Sequence, residues 1–433
     1  MAMAMQPVKS AKFFKKRTFI LLNNPGNNMK SDRIKTPIKK ICMVAYTYYV
    51  HDPRVRREAE TLAEHGFTVD CFCLRAKGQF KYDQVNGVNL YRLPLSKYRG
   101  SSGMLYASAY LWFFVLSFFA ITKSYFKKRY HVIQFHTLPD FIVFSGMIPK
   151  LFGAKLLLDM HEIMPEFYMS KFGVDKTHIY TRIIKWIERI SVRFSSAIIV
   201  VNDPIRRILV ERCAPKGDVV VVMNTADERI FGSDGNNTPP VRNKGFIAMY
   251  HGTLTYLYGL DIAIRTIAKL KDNIPDLEFR IFGNEEEADA LKELAKELGV
   301  SKNVVFMDRV GIEAIPEHIK EADIGVLPTV RDDFIDLSFS NKLAEYVAMK
   351  TPVVATRLLS TLEYFTEDAI SYFESEDVDA FASKVLELYN DPQKRFSQTD
   401  KAFKQYQAIK WSVQKERYID LIESLVEATL TKK

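Results

Sequence analysis

The sequence predicts an α/β protein made of two doubly wound domains, each built on a parallel sheet. Three observations carry this. Short apolar runs of strand type alternate with amphipathic helical stretches along nearly the whole chain, which is the pattern of βαβ units. The alternation restarts after Gly232-Ser233-Asp234-Gly235-Asn236-Asn237-Thr238-Pro239-Pro240, a turn-rich segment without apolar side chains that reads as a linker. A chain of 433 residues, 47% hydrophobic and 26% charged, is long and apolar enough for two or three substantial cores.

The elements follow in order. Residues 1–37 read as a basic, disordered tail, since residues 1–40 hold ten Lys/Arg and one Asp. Phe19-Ile20-Leu21-Leu22 is too short for the apolar core of a signal peptide. The first domain, 38–228, has strand patterns at Ile41–Tyr46, Val69–Leu74, Val88–Leu93, Val132–Phe135, Lys155–Asp159, Ala197–Val201 and Val219–Met223. Helical periodicity lies between them at Val55–His65, 104–129, Phe141–Leu151, Tyr180–Phe194 and Pro204–Cys213. After a linker at 229–243, the second domain (244–410) has strands at Phe246–Tyr250, Glu278–Phe282, Val304–Met307, Ile324–Leu327, Val353–Ala355 and Ser371–Phe373. Its helices are Leu260–Lys271, Glu285–Leu298, Ala314–Glu321, Asn341–Met349 and Val378–Tyr389. Trp411–Leu430, within a closing segment 411–433, reads as a long amphipathic helix.

Charge is unevenly divided. Residues 41–225 carry 25 basic and 15 acidic side chains, whereas residues 226–433 carry 26 basic and 36 acidic ones. A basic first half suggests an anionic surface as partner. No interleaved aromatic–basic motif points to nucleic acid. Met104–Thr122 has 19 residues without a charge, long enough to span a bilayer, but basic residues flank both ends and give no orientation. The strand that follows belongs to the same sheet as the strands before it, so a span would put parts of one sheet on opposite sides of a membrane. A helix half buried in the domain and half in the membrane interface is expected instead. Cys42, Cys71, Cys73 and Cys213 are too few for a disulfide framework and lack metal-ligand spacing. The expected setting is cytoplasmic and peripheral to the inner membrane face, with no metal and no other cofactor.

Ligand-binding loops should follow the strands. After the first strand, Asp52 can cap a helix whose first residue is Pro53. Arg54 and Arg57 have no such structural need and could reach an anion. His161, in Asp159-Met160-His161-Glu162, sits at a strand end facing the expected cleft. In the second domain Gly252 and Thr253 close a strand, and Gly259 precedes a helix; glycine lets a backbone approach a phosphate. Ser340, Asn341 and Lys342 lie at a helix N-terminus, where free N–H groups and the dipole attract anions. Glu345, one turn further in, can accept hydrogen bonds from sugar hydroxyls beside a bound phosphate.

With these residues in place, the chain resembles a GT-B fold glycosyltransferase of family four, the retaining group that uses nucleotide sugars. The matching segments are His51-Asp52-Pro53-Arg54-Val55-Arg56-Arg57-Glu58-Ala59, Asp159-Met160-His161-Glu162, Val222-Met223-Asn224-Thr225, Tyr250-His251-Gly252-Thr253-Leu254, Ala322–Pro328 and Ser340–Thr356. The resemblance covers roughly residues 38–430. It implies two Rossmann-like domains facing a central cleft, with the first binding the acceptor and the second a UDP- or GDP-sugar. It implies that His161 contacts the transferred sugar, that Asn341 and Lys342 hold the diphosphate, and that Glu345 holds the ribose. It also implies a metal-independent reaction in which cationic side chains and helix dipoles meet the charge of the leaving group. The implied acceptor is a lipid-linked molecule or a polysaccharide.

Three positions depart from the family pattern. Leu337 stands where the family has an acid, with Asp336 beside it; Thr253 replaces an arginine, and Tyr258 a lysine or arginine. Arg54, Arg309 and Arg331 are the candidates to restore the missing charge. Two alternatives on the same fold remain: a homologue that no longer binds donor and serves as a membrane-associated assembly subunit, and a nucleotide-sugar epimerase.

Overall fold

The computed structural model describes residues 39–98, 100, 103–232, 245–283 and 288–431. The expected N-terminal tail and most of the expected linker lie outside the described residues. The first sheet has eight strands: β1 (Lys40–Ala45), β2 (Thr68–Leu74), β3 (Tyr82–Val85), β4 (Val88–Leu93), β5 (Val132–His136), β6 (Lys155–Met160), β7 (Ala197–Val200) and β8 (Asp218–Val221). Their order is β3-β4-β2-β1-β5-β6-β7-β8, and every pairing is parallel except β3 with β4. The second sheet holds β9 (Phe246–His251), β10 (Leu277–Phe282), β11 (Val304–Met307), β12 (Ile324–Leu327), β13 (Val353–Thr356) and β14 (Ser371–Phe373) in the order β11-β10-β9-β12-β13-β14, all parallel. The predicted pair of doubly wound α/β domains is therefore present.

The central strands are largely apolar and buried because helices cover both faces of each sheet. Along β1, Ile41, Met43 and Ala45 face one layer of the core while Cys42 and Val44 face the other. In the first domain the helices are α1 (Pro53–Glu64), α2 (Gly103–Lys128), α3 (Met147–Leu151), α4 (Met164–Phe172), α5 (Ile179–Phe194) and α6 (Asp203–Cys213). Asp52 caps α1 as expected, accepting a hydrogen bond from the Val55 amide at 3.1 Å. The helices that follow β9 are α7 (Leu260–Leu270), α8 (Ala288–Glu297), α9 (Ile315–Glu321), α10 (Asn341–Ala348), α11 (Leu359–Leu362), α12 (Val378–Asn390), α13 (Pro392–Tyr406) and α14 (Trp411–Leu430).

The structure adds elements that periodicity did not suggest. β3 is an exposed antiparallel edge strand joined to β4 by Asn86-Gly87, both at positive φ, the geometry an Asn-Gly hairpin turn demands. The segment read as one helix over Phe141–Leu151 is a 3-10 turn, Asp140–Gly146, running into α3. α13 is polar almost all round, so it lacks a broad apolar stripe. Its signal is Asp391, which caps the helix just before Pro392. α14 packs on the first sheet: Tyr418 donates to Gln134 of β5 at 2.6 Å, and Gln414 accepts from the Met223 amide at 3.0 Å.

In each sheet the strand order reverses beside the first strand of the domain, β1 in one and β9 in the other. The carboxyl ends of strands at such reversals form ligand crevices. Here they carry His136 and His161 on one side, and His251 and Gly252 on the other.

Candidate functional site

Two cavities meet at the start of α10. One, of about 320 Å³, lies in the second domain and is lined by His251, Gly252, Thr253, Arg309, Lys342 and Glu345. The other, of about 540 Å³, lies between the sheets and is lined by residues including Asp52, Arg54, His161, Ser340, Asn341 and Lys342. Ten of the residues singled out from sequence thus border these two spaces, and Lys342 borders both.

The start of α10 gathers a capping hydroxyl, free helix amides and a buried ammonium. Ser340 is the helix cap, its hydroxyl accepting from the Leu343 amide at 3.4 Å, and Asn341 is the first helical residue. Lys342 is held by aromatic faces, its Nζ lying 4.1 Å from the Tyr258 ring centroid and 5.4 Å from that of Tyr250. Burial lowers the Lys342 ammonium to about 8, against the raising effect of Glu345. Burial likewise raises Glu345 to about 7, opposed by Lys342. His251 Nε2 is 3.4 Å from Glu345, yet burial and the nearby Lys342 push His251 down to about 3, so the contact joins a neutral ring to a carboxyl and is no ion pair. Gly252 has φ of 121°, and a Cβ there would lie 2.5 Å from Lys342 Cε. The backbone at this point favours glycine, and a side chain there would displace Lys342.

His161 belongs to a buried network that the sequence did not disclose. Its Nε2 lies 3.2 Å from Asp159 Oδ2 and 3.2 Å from His136 Nδ1. Asp159 also receives His136 at 2.8 Å and, through its other oxygen, Arg54 at 2.6 Å. Burial, with Arg54 next, lowers His161 and keeps it neutral. For His136 burial also opposes the charge, but the hydrogen bond and charge of Asp159 prevail and raise it. His136, Asp159 and His161 could offer three metal-ligand atoms. They are already within hydrogen-bond distance of one another, and a guanidinium shares the carboxylate. The arrangement fits an orienting hydrogen-bond network, with Asp159 compensating buried cations, better than a cation site.

Two arginines change meaning. Arg54, read as free to reach an anion, pairs with Asp159 and with Glu58 at 3.2 Å. Arg57 donates to the Thr225 carbonyl and to Asn224 Oδ1, both at 2.8 Å, and stacks on Trp411 at 4.0 Å. Of the three candidates for the missing charge, Arg331 is also engaged, with Asp336 at 2.9 Å. Arg309 remains at the rim of the second-domain cavity. Asp336 further accepts from the Leu359 amide at 2.8 Å and does not replace the acid absent at Leu337.

A smaller cavity of about 210 Å³ adjoins His161 within the first domain. Lys97, Tyr110, His136 and Glu162 line it, and His136 Nε2 is buried there without a hydrogen-bond partner. None of these four was singled out from sequence. His136 had a signal, since Gln134 and His136 are polar residues two apart in an otherwise apolar strand.

Residues 52–225 match the family described as "Glycosyl transferase 4-like domain", and residues 245–391 the family described as "Glycosyl transferases group 1". The chain belongs to glycosyltransferase family four. Among the relatives of this family member is a GDP-mannose-dependent alpha-(1-6)-phosphatidylinositol monomannoside mannosyltransferase of Mycolicibacterium smegmatis, 30% identical over 31% of this chain and 36% of that protein. Another is a D-inositol 3-phosphate glycosyltransferase of Corynebacterium urealyticum, 26% identical over 40% of this chain and 42% of that one. The chain thus spans less than half the length of these curated relatives. Solved structures similar to it include a sucrose-phosphate synthase from Thermosynechococcus elongatus, at TM-score 0.72 and 15% identity over 90% of this chain and all of that one. The HepE protein of Anabaena in complex with UDP matches at TM-score 0.65 and 13% identity, over 89% of this chain and 100% of that one. At these identities the likeness is one of fold, the GT-B arrangement of two α/β domains.

Proposed function

We propose that this glycosyltransferase-family protein moves a sugar from a UDP- or GDP-sugar to a hydroxyl of a lipid-linked or polysaccharide acceptor, with retention at the anomeric carbon. One observation carries the reading: Lys342 borders both the second-domain cavity and the cleft that His161 faces. A diphosphate at the start of α10 then places its sugar in that cleft. Glu345 accepts the ribose hydroxyls. Lys342, the amide groups of α10 and Arg309 meet the charge that develops on the leaving diphosphate, so the proposal needs no metal. The bond from the anomeric carbon to the phosphate oxygen breaks, the acceptor oxygen bonds to the same face, and the acceptor proton leaves on the departing phosphate. His161, neutral and oriented by Asp159, hydrogen-bonds the sugar. The first-domain cavity at His136 and Lys97 receives the acceptor. With a lipid-linked acceptor, the reaction sits at the cytoplasmic face of a membrane.

Loss of donor binding is the second reading, since Thr253 and Tyr258 remove two charges. The ring of Tyr258 under Lys342 weighs against it, because that contact holds the remaining cation in the site. The test is mass spectrometry of products from a panel of nucleotide sugars and lipid-linked oligosaccharides, with calorimetry of UDP and GDP binding. Transfer by the native chain and none by His161→Ala, with binding and fold retained, is the expected result. Undiminished turnover in His161→Ala, or absence of nucleotide binding in the native chain, overturns the proposal.

A further inference from the structure

α2 is long and apolar enough to cross a membrane, with a mean hydropathy of 1.9, yet only 17% of its apolar window is buried in the protein. What it buries is a narrow stripe, Phe113, Ser117, Ile121 and Tyr125, four residues apart. That stripe fixes the helix along the domain, Ala109, Tyr110, Phe114, Leu116 and Ala120 beside it pack partly on the core, and Leu111, Trp112 and Phe119 face outward. The surface does not end with α2. Phe126 of α2 meets Phe152, just beyond α3, with ring centroids 5.1 Å apart. Lys150 of α3 lies 4.0 Å over the ring of Phe194, at the end of α5, and donates to its carbonyl. Exposed apolar side chains follow the same path: Leu111, Trp112 and Phe119 on α2, Phe152, then Ile183 and Trp186 on α5. Of the 22 exposed large hydrophobic side chains among the described residues, 14 lie between Met104 and Trp186. Patches of this kind mark interaction sites.

Charge selects the occupant. Between Gly103 and Leu158 the single acid is Asp140, and on α5 it is Glu188; both are buried. The cations interspersed with the apolar groups are exposed, including Lys123, Lys127, Arg182, Arg189 and Arg193. A protein partner would need matching acids at several fixed points, whereas a bilayer with anionic headgroups offers mobile charge over an apolar interior. We propose that α2, the 147–152 segment and α5 form one face that lies flat on an anionic lipid bilayer. Tyr110 of α2 lines the small cavity beside His161, so this face brings that cavity to the headgroup layer. That last step rests on the cavity being the acceptor site; the docking face itself does not.

The test is flotation of the full chain with vesicles of phosphatidylcholine alone or mixed with phosphatidylglycerol. Binding to the mixed vesicles only, weakened by salt and by about fivefold for each of Arg182→Ser and Arg189→Ser, is expected. The paired variant Trp112→Glu/Trp186→Glu should lose at least tenfold in binding while retaining its affinity for UDP or GDP. In the native chain, brominated lipids should quench Trp112 and Trp186 and leave the buried Trp411 unaffected. Unchanged flotation of the paired variant assigns binding to other basic segments and overturns the proposal. So does a concentration-dependent dimer that the variant dissolves and that binds no vesicles. Vesicle binding without nucleotide binding would sink the transfer reading and leave this one standing.

Discussion

At the scale of single residues, Lys342 and Glu345 share one buried site and shift towards each other, to about 8 and about 7. Phosphate binding needs the ammonium and ribose binding the carboxylate, so both are charged together only in the interval between. The profile of kcat/KM for the donor against pH is therefore expected to be bell-shaped, rising near 7 and falling near 8. A flat profile across that interval would show that neither group governs donor capture. Tyr258 acts through Lys342: Tyr258→Phe keeps the ring and should leave donor KM nearly unchanged, while Tyr258→Ala should raise it by roughly 3–30-fold, a loss of about 0.5–2 kcal/mol. Equal effects of the two variants would shift the role to the hydroxyl. Asp140 is a separate case. Both carboxyl oxygens are buried without a hydrogen bond, and burial raises the group to about 7. An aspartate in the unfolded chain loses its proton near ~3.9, so from there to about 7 the unfolded state binds fewer protons and stability falls as pH rises, by at most about 4 kcal/mol. Asp140→Asn is expected to gain stability relative to the native chain between pH ~5 and ~8 in urea melts; parallel profiles would refute this.

At the scale of elements, the parallel strands were legible because each is a short, largely apolar run, and β4, β11, β12 and β14 keep their predicted ends. The elements missed, β3, α4, α11 and α13, bury few apolar side chains. β3 lies on an exposed edge, and α13 buries mainly polar side chains, so neither leaves a clear apolar period. The start of α10 was readable because its chemistry is local. The His136–Asp159–Arg54 network was not, because it joins β5, β6 and α1, which are distant in sequence and adjacent only once the sheet forms. α14 depends on a similar long-range contact. Removing the Tyr418 hydroxyl leaves Gln134 Oε1 buried and unpaired, so Tyr418→Phe should destabilise the chain by about 1–3 kcal/mol in chemical denaturation. No change would mean that α14 is held by its apolar face alone.

At the scale of the whole molecule, the opposite net charges of the two halves were visible in the sequence, but where the cations gather was not. The fold buries Asp140 and Glu188 and leaves most lysines and arginines of α2 and α5 outside, which turns a modest excess into a face on which these helices expose no acid. The fold also decides how the halves stay joined. Asn224 and Thr225, where the chain leaves the first domain, and Trp411, where it returns, are all held by the guanidinium of Arg57. Both crossings are thus tied to one side chain. Away from that cluster, Arg207 pairs with Glu363, Ser170 donates to Asp332, and Asn202 donates to the Leu337 carbonyl, so the two domains also meet directly through side chains. The cleft between Lys342 and His161 is thereby braced by more than the backbone that crosses it.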